Sequence, residues 1–204
     1  MRRLAYAVLL SLVLALSAAL SPGFLPDLVP KRGALQGVAF ASAQDAAQLG
    51  ACKLILGEEA TPALARAVVH WIELELFHLA NQDRARNGLP PLQLDHQLLD
   101  IARARAAAHV AAGPLSHADG DEGMAYVRLI DEMDLGRRLV GENLIRVSGH
   151  PGGAAERAEQ GFMNSPAHRA NILDPTFETL AVGAAIDASC QIVLVQIFRA
   201  EGRR

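Results

Sequence analysis

The sequence predicts an α+β domain in which helices pack on a small, mostly antiparallel sheet. Apolar residues recur at helical spacing in several segments between residues 61 and 163, and two apolar segments, 179–186 and 191–198, close the chain as strands. The chain has 204 residues, of which 51% are apolar and 20% charged. This length suffices for one globular domain with an extra segment, but not for two ordinary domains.

The first two helices carry clear start and stop signals. Thr61-Pro62 offers an N-cap followed by proline at the first helical position, and the helix stops at Asn87-Gly88. Asp95 is a suitable cap for a second helix, which is expected to run to about Ala112. The apolar positions that define the first helix are Ala65, Val69, Ile72, Leu76 and Leu79.

Two further helices and a third strand complete the prediction. The helices are expected from about Gly123 to Leu135 and from Gly153 to Met163, and the third strand contains Asn143 to Val147. The last two strands are separated only by Asp187 to Cys190, a connection typical of a hairpin.

Residues 1–43 are predicted to form a secretory signal peptide. Two arginines precede an uncharged apolar run from Leu4 to Leu20, and Ala41-Ser42-Ala43 provides a small-residue cleavage site. The run is shorter than the roughly 20 residues that span a bilayer, so an uncleaved signal anchor is the second choice. Residues 44–69 then form an N-terminal arm and the start of the first helix, and 70–204 form the domain proper. We therefore expect a secreted or periplasmic protein.

The charge balance argues against a nucleic-acid partner. The chain carries 19 basic and 22 acidic residues, without the basic excess that a phosphate-binding surface needs. Membrane contact is expected only through the signal segment, if it remains uncleaved.

The two cysteines, Cys52 and Cys190, are predicted to form a disulfide, because an even pair in an exported protein is most simply paired. Two free buried thiols are the alternative.

Two polar residues in the middle of the chain are candidates for chemistry. His117 follows a helix stop and lies on a loop, where an imidazole can act as metal ligand or acid/base, or can merely be solvated. Glu142 follows a glycine and lies between apolar residues, so its carboxylate emerges from apolar surroundings. Taken alone, Glu142 is best interpreted as a structural hydrogen-bond acceptor.

A second polar group lies at the start of a short predicted helix. Ser165 is more typical of an N-cap before Pro166 than of a nucleophile, because no Gly-x-Ser-x-Gly elbow surrounds it. His168 and Arg169 lie in the first turns of that helix, where either can face a cleft; Arg169 can equally pair with an acid.

Two residues elsewhere are given structural roles. His109 is predicted to be a satisfied core histidine and Trp71 a core anchor.

Taken in order, these segments resemble the CAP superfamily of SCP-like domains, specifically its bacterial secreted branch. The resemblance covers roughly residues 70–200. The motifs that carry it are Asn81 to Arg84 with Gly88-Leu89 and Pro91-Leu92, Ser116-His117, Gly141-Glu142-Asn143, Asn164 to Leu173, and Val182-Gly183 with Gln196-Ile197-Phe198.

The resemblance implies an α-β-α sandwich with a central cleft that, in eukaryotic members, gathers two histidines and two glutamates. His117 matches the first histidine and Glu142 the first glutamate. The family's tryptophan and second glutamate are replaced by Phe162 and Ser165, and the place of the second histidine falls near Val193. The four-residue site is therefore incomplete.

His168 is a candidate to supply the missing imidazole from another element. Together with His117 and Glu142 it would give at most three metal ligands, leaving an open position, so weak or transient binding of a divalent metal such as zinc is expected. The supporting residues of the cleft would be Asn143, Ser165, Arg169 and Gln196.

Three functions follow from the resemblance and remain open at this point. The favoured one is a non-catalytic ligand-binding module that recognises a lipid, a cell-wall fragment or a protein. The alternative is a metal-assisted extracellular hydrolase, peptidase-like, with His117 and Glu142 as candidate catalytic residues. The third is a structural envelope protein in which the same residues stabilise the fold. Members of the superfamily have been linked to lipid or sterol binding, metal binding, host defence and proteolysis, so the fold alone does not choose.

Overall fold

The structure, a computed structural model, describes residues 62–111, 114–118, 123–135, 139–187 and 189–200. The predicted signal peptide 1–43, the arm up to residue 61 and Cys52 lie outside these residues.

Five helices and four strands make up the described ranges, and they confirm the predicted α+β class. In chain order they are α1 (Pro62–Arg86), β1 (Gln93–Leu94), α2 (Leu99–Ala111), α3 (Ala125–Glu132), β2 (Leu139–Val147), α4 (Ala154–Asn164), α5 (Pro166–Ile172), β3 (Thr179–Ile186) and β4 (Ile192–Ala200).

The four strands form one sheet in the order β1-β3-β4-β2. The pairs β3–β4 and β2–β4 are antiparallel, whereas β1 pairs with β3 in parallel. All nine residues of β4 are buried, as expected of a central strand covered on both faces. β2 lies at the edge of the sheet, and this position exposes one of its sides to the loops around it.

Successive residues of β4 point into two separate cores, one on each face of the sheet. Ile192, Leu194 and Phe198 join a core with residues of α1 and α4. The alternate residues, Val193, Val195 and Ile197, join a second core with residues of α2 and α3. Helices on both faces of a sheet make the α-β-α sandwich that the resemblance predicts.

Gly183 allows α2 to lie directly on β3. A Cβ at this position would collide with the backbone of Ala102 and Arg103, so the helix and strand approach more closely than any other residue permits. The close packing fixes the height of α2 above the sheet, and with it the side chains that α2 directs toward β2.

The turn before α2 is held by Asp95. One carboxylate oxygen accepts hydrogen bonds from the backbone N–H groups of Gln97 and Leu98, at 3.1 and 3.3 Å. The other accepts from Arg199 Nε at 2.8 Å and from the Thr179 hydroxyl at 2.8 Å. Asp95 therefore caps the helix start as predicted and also ties it to the sheet.

Two of the structural predictions need correction. Trp71 is 44% exposed and is not a core anchor, because the buried face of α1 follows Ile72, Leu76 and Ala80 and leaves Trp71 beside it. His109 is buried as predicted, but its Nε2 has no hydrogen-bond partner. Burial lowers the pKa of His109, so its ring is neutral at neutral pH.

Within the described ranges, none of the helices combines the length and the apolar character needed to cross a bilayer.

Candidate functional site

The site is built around the edge strand β2, whose neighbouring residues Glu142 and Asn143 face opposite sides of the sheet. Glu142 is level with Ile197 and faces the core of α2 and α3, whereas Asn143 is level with Gln196 and faces α4 and α5. The two faces of one strand thus supply two polar clusters that meet at the same edge.

Glu142 has a fully buried side chain that is held by two partners. Arg105 Nε lies 2.8 Å from Oε1 and Arg105 Nη2 lies 3.2 Å from Oε2. His117 Nδ1 lies 2.7 Å from the same Oε2. The guanidinium compensates for the burial of the carboxylate, since a charged group inside a protein is costly unless it is paired.

Arg105 is a site residue that the sequence motifs missed. Its side chain is 7% exposed, and Nη2 also donates to the Ser116 carbonyl at 2.7 Å. The signal that points to it is helical phase: Arg105 lies one turn from Ile101, Ala102 and His109, all buried, so its position on α2 is a core position.

His117 lies on a loop that is tied to the start of α3. Its carbonyl accepts from the Ala125 N–H at 3.0 Å, and Ala118 forms an isolated β-bridge with Met124. The His117 side chain is 42% exposed, although the carboxylate it contacts is completely buried. The His117 ring is therefore partly exposed to solvent while its Nδ1 contacts the buried Glu142–Arg105 ion pair.

His168 lies close enough to His117 for the two rings to interact electrostatically. Burial, and then the charge of His117, lowers the pKa of His168. The ring packs edge-on against Phe162, with centroids 5.3 Å apart. The structure thus brings the two predicted imidazoles to one edge of the sheet, with His168 favoured in its neutral form.

Asn143 organises the second cluster. Its Nδ2 donates to the His168 carbonyl at 3.1 Å and to Gln196 Oε1 at 2.9 Å, and its Oδ1 accepts from Asn171 Nδ2 at 2.8 Å. Both Asn143 and Gln196 are fully buried. The two predicted supporting residues therefore meet and hold α5, and with it His168, against the sheet.

The network continues to Glu159 of α4, which sequence analysis did not single out. Gln196 Nε2 donates to Glu159 Oε2 at 3.3 Å, and the Asp83 carboxyl of α1 approaches the Glu159 carboxyl. Burial, followed by the charge of Asp83, raises the pKa of Glu159 to about 8. Its helical phase with Ala155, Ala158 and Phe162 is the signal that marks it as a core position.

The other two supporting residues stand apart from the network. Ser165 occupies the N-cap of α5 with Pro166 behind it, as predicted, but its side chain makes no capping hydrogen bond. Arg169 is exposed and lines an open groove of about 380 Å³ with Met163 and Leu173.

The donor set does not fit the predicted metal site of His117, Glu142 and His168. Both oxygens of Glu142 already contact Arg105 or His117, and a guanidinium beside the carboxylate repels a cation. Among the described residues, no group of three or more histidine, cysteine, aspartate or glutamate side chains is arranged to hold a metal. Val193, near the place of the family's second histidine, is fully buried in the apolar core.

Cys190 is buried at the β3–β4 hairpin, with a positive φ of 59°. Because Cys52 lies outside the described residues, the Cys52–Cys190 disulfide stays a prediction.

The chain is similar in sequence or fold to several known proteins. The uncharacterized protein YkwD of Bacillus subtilis is 29% identical over 123 residues, which cover 60% of this chain and 46% of that protein. An extracellular protein containing a SCP domain from Bacillus anthracis is 27% identical, with a TM-score of 0.59, over 70% of this chain and 44% of the other. The chain thus spans less than half the length of these two relatives.

The third similarity concerns the fold alone. An outer surface protein of Borrelia burgdorferi is 17% identical with a TM-score of 0.55, and the match covers 62% of this chain and 90% of that one.

The model of the CAP, or cysteine-rich secretory protein, family matches residues 77–198. This range covers more than half of the chain and includes both polar clusters at β2. It also includes the first-helix, Ser-His, Gly-Glu-Asn and Ser-Pro-x-His-Arg motifs on which the resemblance rests. The chain belongs to the CAP family.

Proposed function

We propose that this protein is an extracytoplasmic ligand-binding module whose recognition group is His117. The observation that carries the proposal is the combination of an imidazole that is 42% exposed with a carboxylate that is fully buried and paired to Arg105. Such an arrangement fixes the direction of a polar group at the surface before any ligand arrives, which is how binding sites obtain specificity.

A purely structural role accounts less well for the same contacts. A buried ion pair contributes little net stability, because desolvation of both charges offsets their attraction. An exposed histidine adds little packing. Stability alone therefore does not explain the cluster, whereas binding of a ligand by the oriented imidazole does.

A metal-assisted hydrolase is the weaker candidate. It requires Glu142 as a metal ligand or as a free base, yet Arg105 and His117 occupy both of its oxygens. We therefore propose binding rather than hydrolysis.

Export is supported by the sequence and by one relative. Residues 1–43 have the pattern of a secretory signal, and the similar Bacillus anthracis protein is an extracellular protein. A Cys52–Cys190 disulfide accords with an oxidising compartment. A thiol assay on the exported, denatured protein without reductant should detect no free thiols; detection of two would contradict both the disulfide and its compartment.

The binding proposal is tested on the exported full chain with two probes. Vesicles of phosphatidylglycerol and phosphatidylethanolamine represent a lipid ligand, and muramyl dipeptide represents a wall fragment. Calorimetry should show that at least one probe binds the wild type and His78→Ala, and that His117→Ala loses most of that affinity. His78 is the matched control because it is an exposed histidine on α1, away from the cleft.

Three results would count against the binding proposal. Binding that survives His117→Ala unchanged would remove the cleft from the site, and binding of neither probe would count against a lipid or wall ligand. A large drop in melting temperature with unchanged binding would favour the structural role.

A further inference from the structure

We propose that Arg105 is the positioning residue of this site: it fixes His117 in the Nδ1–H tautomer, so that Nε2 presents a lone pair to a neutral ligand group that donates a hydrogen bond. The ligand class rests on the proposed binding function. The tautomer is a property of the unliganded protein and stands independently of it.

Arg105 favours the ionised form of the Glu142 carboxylate. Arg105 approaches this carboxylate with both Nε and Nη2, a bidentate geometry that favours the ionised form. An ionised carboxylate has no hydrogen to donate. The 2.7 Å contact between His117 Nδ1 and Glu142 Oε2 therefore requires a hydrogen on Nδ1, so that Nε2 is the acceptor whenever the ring is neutral.

Arg105 also fixes the orientation of the His117 ring. The same Nη2 that contacts Glu142 also donates to the Ser116 carbonyl at 2.7 Å. One guanidinium thus fixes both the acceptor of the His117 hydrogen bond and the peptide that precedes His117. The imidazole is held from its backbone and from its Nδ1 side, and Nε2 is the ring nitrogen left for a ligand.

The groups available at the cleft determine which kind of ligand group His117 can contact. Arg105 is 7% exposed and its Nε and Nη2 are already engaged, so it is not available to bind an anion in the cleft. When its ring is neutral, as at the pH of the experiment below, His117 contributes an acceptor at Nε2 and no positive charge. Burial favours the neutral form of His168 beside it, because burial lowers the pKa of that ring. The ligand group that contacts Nε2 is therefore a hydroxyl or an amide N–H rather than a phosphate or carboxylate oxygen, whatever charges the ligand carries elsewhere.

The tautomer can be read directly from the imidazole nitrogens. The full chain is produced with ¹⁵N-labelled histidine, and two-bond ¹H–¹⁵N correlations are recorded at about pH 8, where an ordinary histidine is neutral. The His117 signals are assigned by their loss in His117→Gln. The wild type should show a protonated Nδ1 and an unprotonated Nε2; the opposite tautomer would overturn the proposal.

Arg105→Gln tests the role of the guanidinium. Without the fixed positive charge, Glu142 can take up a proton and donate it to Nδ1, so the His117 spectrum should shift toward the Nε2–H form. Arg146→Gln is the matched control. Like Arg105, Arg146 donates to a backbone carbonyl, that of His109 at 2.6 Å. The Glu142 oxygens, in contrast, contact Arg105 and His117. An unchanged His117 tautomer in a folded Arg105→Gln protein would overturn the proposal.

A second variant covers the case in which Arg105→Gln does not fold. Arg105→Lys keeps the charge, but a single ammonium cannot reach both oxygens of Glu142 and the Ser116 carbonyl in the fork geometry of arginine. We expect a mixture of the two tautomers in this variant. A spectrum identical to that of the wild type would show that the fork is not needed.

The ligand class is tested with two simple probes on the wild type. N-acetylglucosamine carries hydroxyl and amide donors without charge, and sulfate is an anion without donors. The Nε2 resonance should move with N-acetylglucosamine and not with sulfate. Movement with sulfate alone, or with neither probe, would overturn the neutral-donor assignment while leaving the tautomer to be judged from the unliganded spectra.

Discussion

Gly183 of β3 lies against the backbone of Ala102 in α2 without space for a Cβ between them. The contact matters for the site because Arg105 is one turn farther along the same helix. Any movement of α2 away from β3 also moves Arg105 away from Glu142.

Gly183→Ala should therefore lower stability and disturb the cleft together. The added Cβ meets backbone atoms that cannot rotate aside, so we expect a loss of about 1–3 kcal/mol or more in the free energy of unfolding, measured by urea denaturation. Gly161→Ala is the control. Its Cβ would collide with Cδ1 at the flexible end of Ile145 and touch Cγ1 of the same side chain, which can shift. Alanine gains about 1 kcal/mol in helix propensity over glycine, so the net change should be small. Equal losses in the two variants would refute the close-packing explanation.

Glu159 should make stability fall as the pH rises from about 5 to about 8. Its pKa is raised to about 8 in the folded protein from an ordinary value of 4.5, so over this interval the native state holds a proton that the unfolded state has lost. The unfolding free energy then declines by up to about 1.4 kcal/mol per pH unit, and the decline stops once the pH exceeds the folded pKa.

Glu159→Gln should remove this slope, because the amide does not titrate. Glu156→Gln, on the exposed side of the same helix, should retain it. Denaturation midpoints at several pH values compare the three proteins. A slope that persists in Glu159→Gln would assign it to another group.

Arg84 is expected to be the most sensitive residue of α1. It is fully buried and donates to the carbonyls of Pro90, Ile172 and Asp174 at 2.9, 2.9 and 2.8 Å. Arg84→Met leaves three carbonyls without this donor, at a cost of about 1–3 kcal/mol for each that stays dry.

Arg86→Met supplies the comparison for Arg84. Arg86 is 66% exposed and forms a surface ion pair with Asp83, so its replacement should cost under about 1 kcal/mol. Similar unfolding free energies for the two variants would contradict the role assigned to Arg84.

Zinc should not bind stoichiometrically at the cleft. Glu142 is engaged by Arg105, and two imidazoles alone fall short of the three protein ligands of a catalytic zinc site. Calorimetric titration of the wild type and His117→Ala should give the same weak or absent heats. Tight binding that only the wild type shows would restore the metal site and the hydrolase with it.

The element pattern could be predicted from the sequence because it depends on local spacing. The strand Thr179–Ile186 appears with its predicted bounds, and α4 begins and ends within one residue of its prediction. β1 has two residues and no periodicity of its own, so only its parallel pairing with β3 defines it. The prediction of Trp71 as a core anchor is wrong, because its phase on the helix leaves it beside the buried face.

The site was predictable only in part, for a related reason. His117 and Glu142 follow from the motif order, and the structure brings them into contact. Arg105 belongs to no motif, and its role depends on a partner 37 positions away in sequence. The sequence pattern places Arg105 on a face of the helix other than the apolar one, whereas the structure buries its side chain against Glu142. The ion pair with Glu142 is what allows the charged side chain of Arg105 to be buried.

The strand order has a consequence for how the chain is made. β4 is the last strand in sequence, yet it lies between β3 and β2, which do not pair with each other. A nascent chain that has reached only residue 191 therefore lacks the strand that joins β2 to the β1–β3 pair, and it holds two half-formed cores. The sheet closes only when the final strand has left the ribosome. Because β4 contributes residues to both cores, neither core can be completed before this strand has been made.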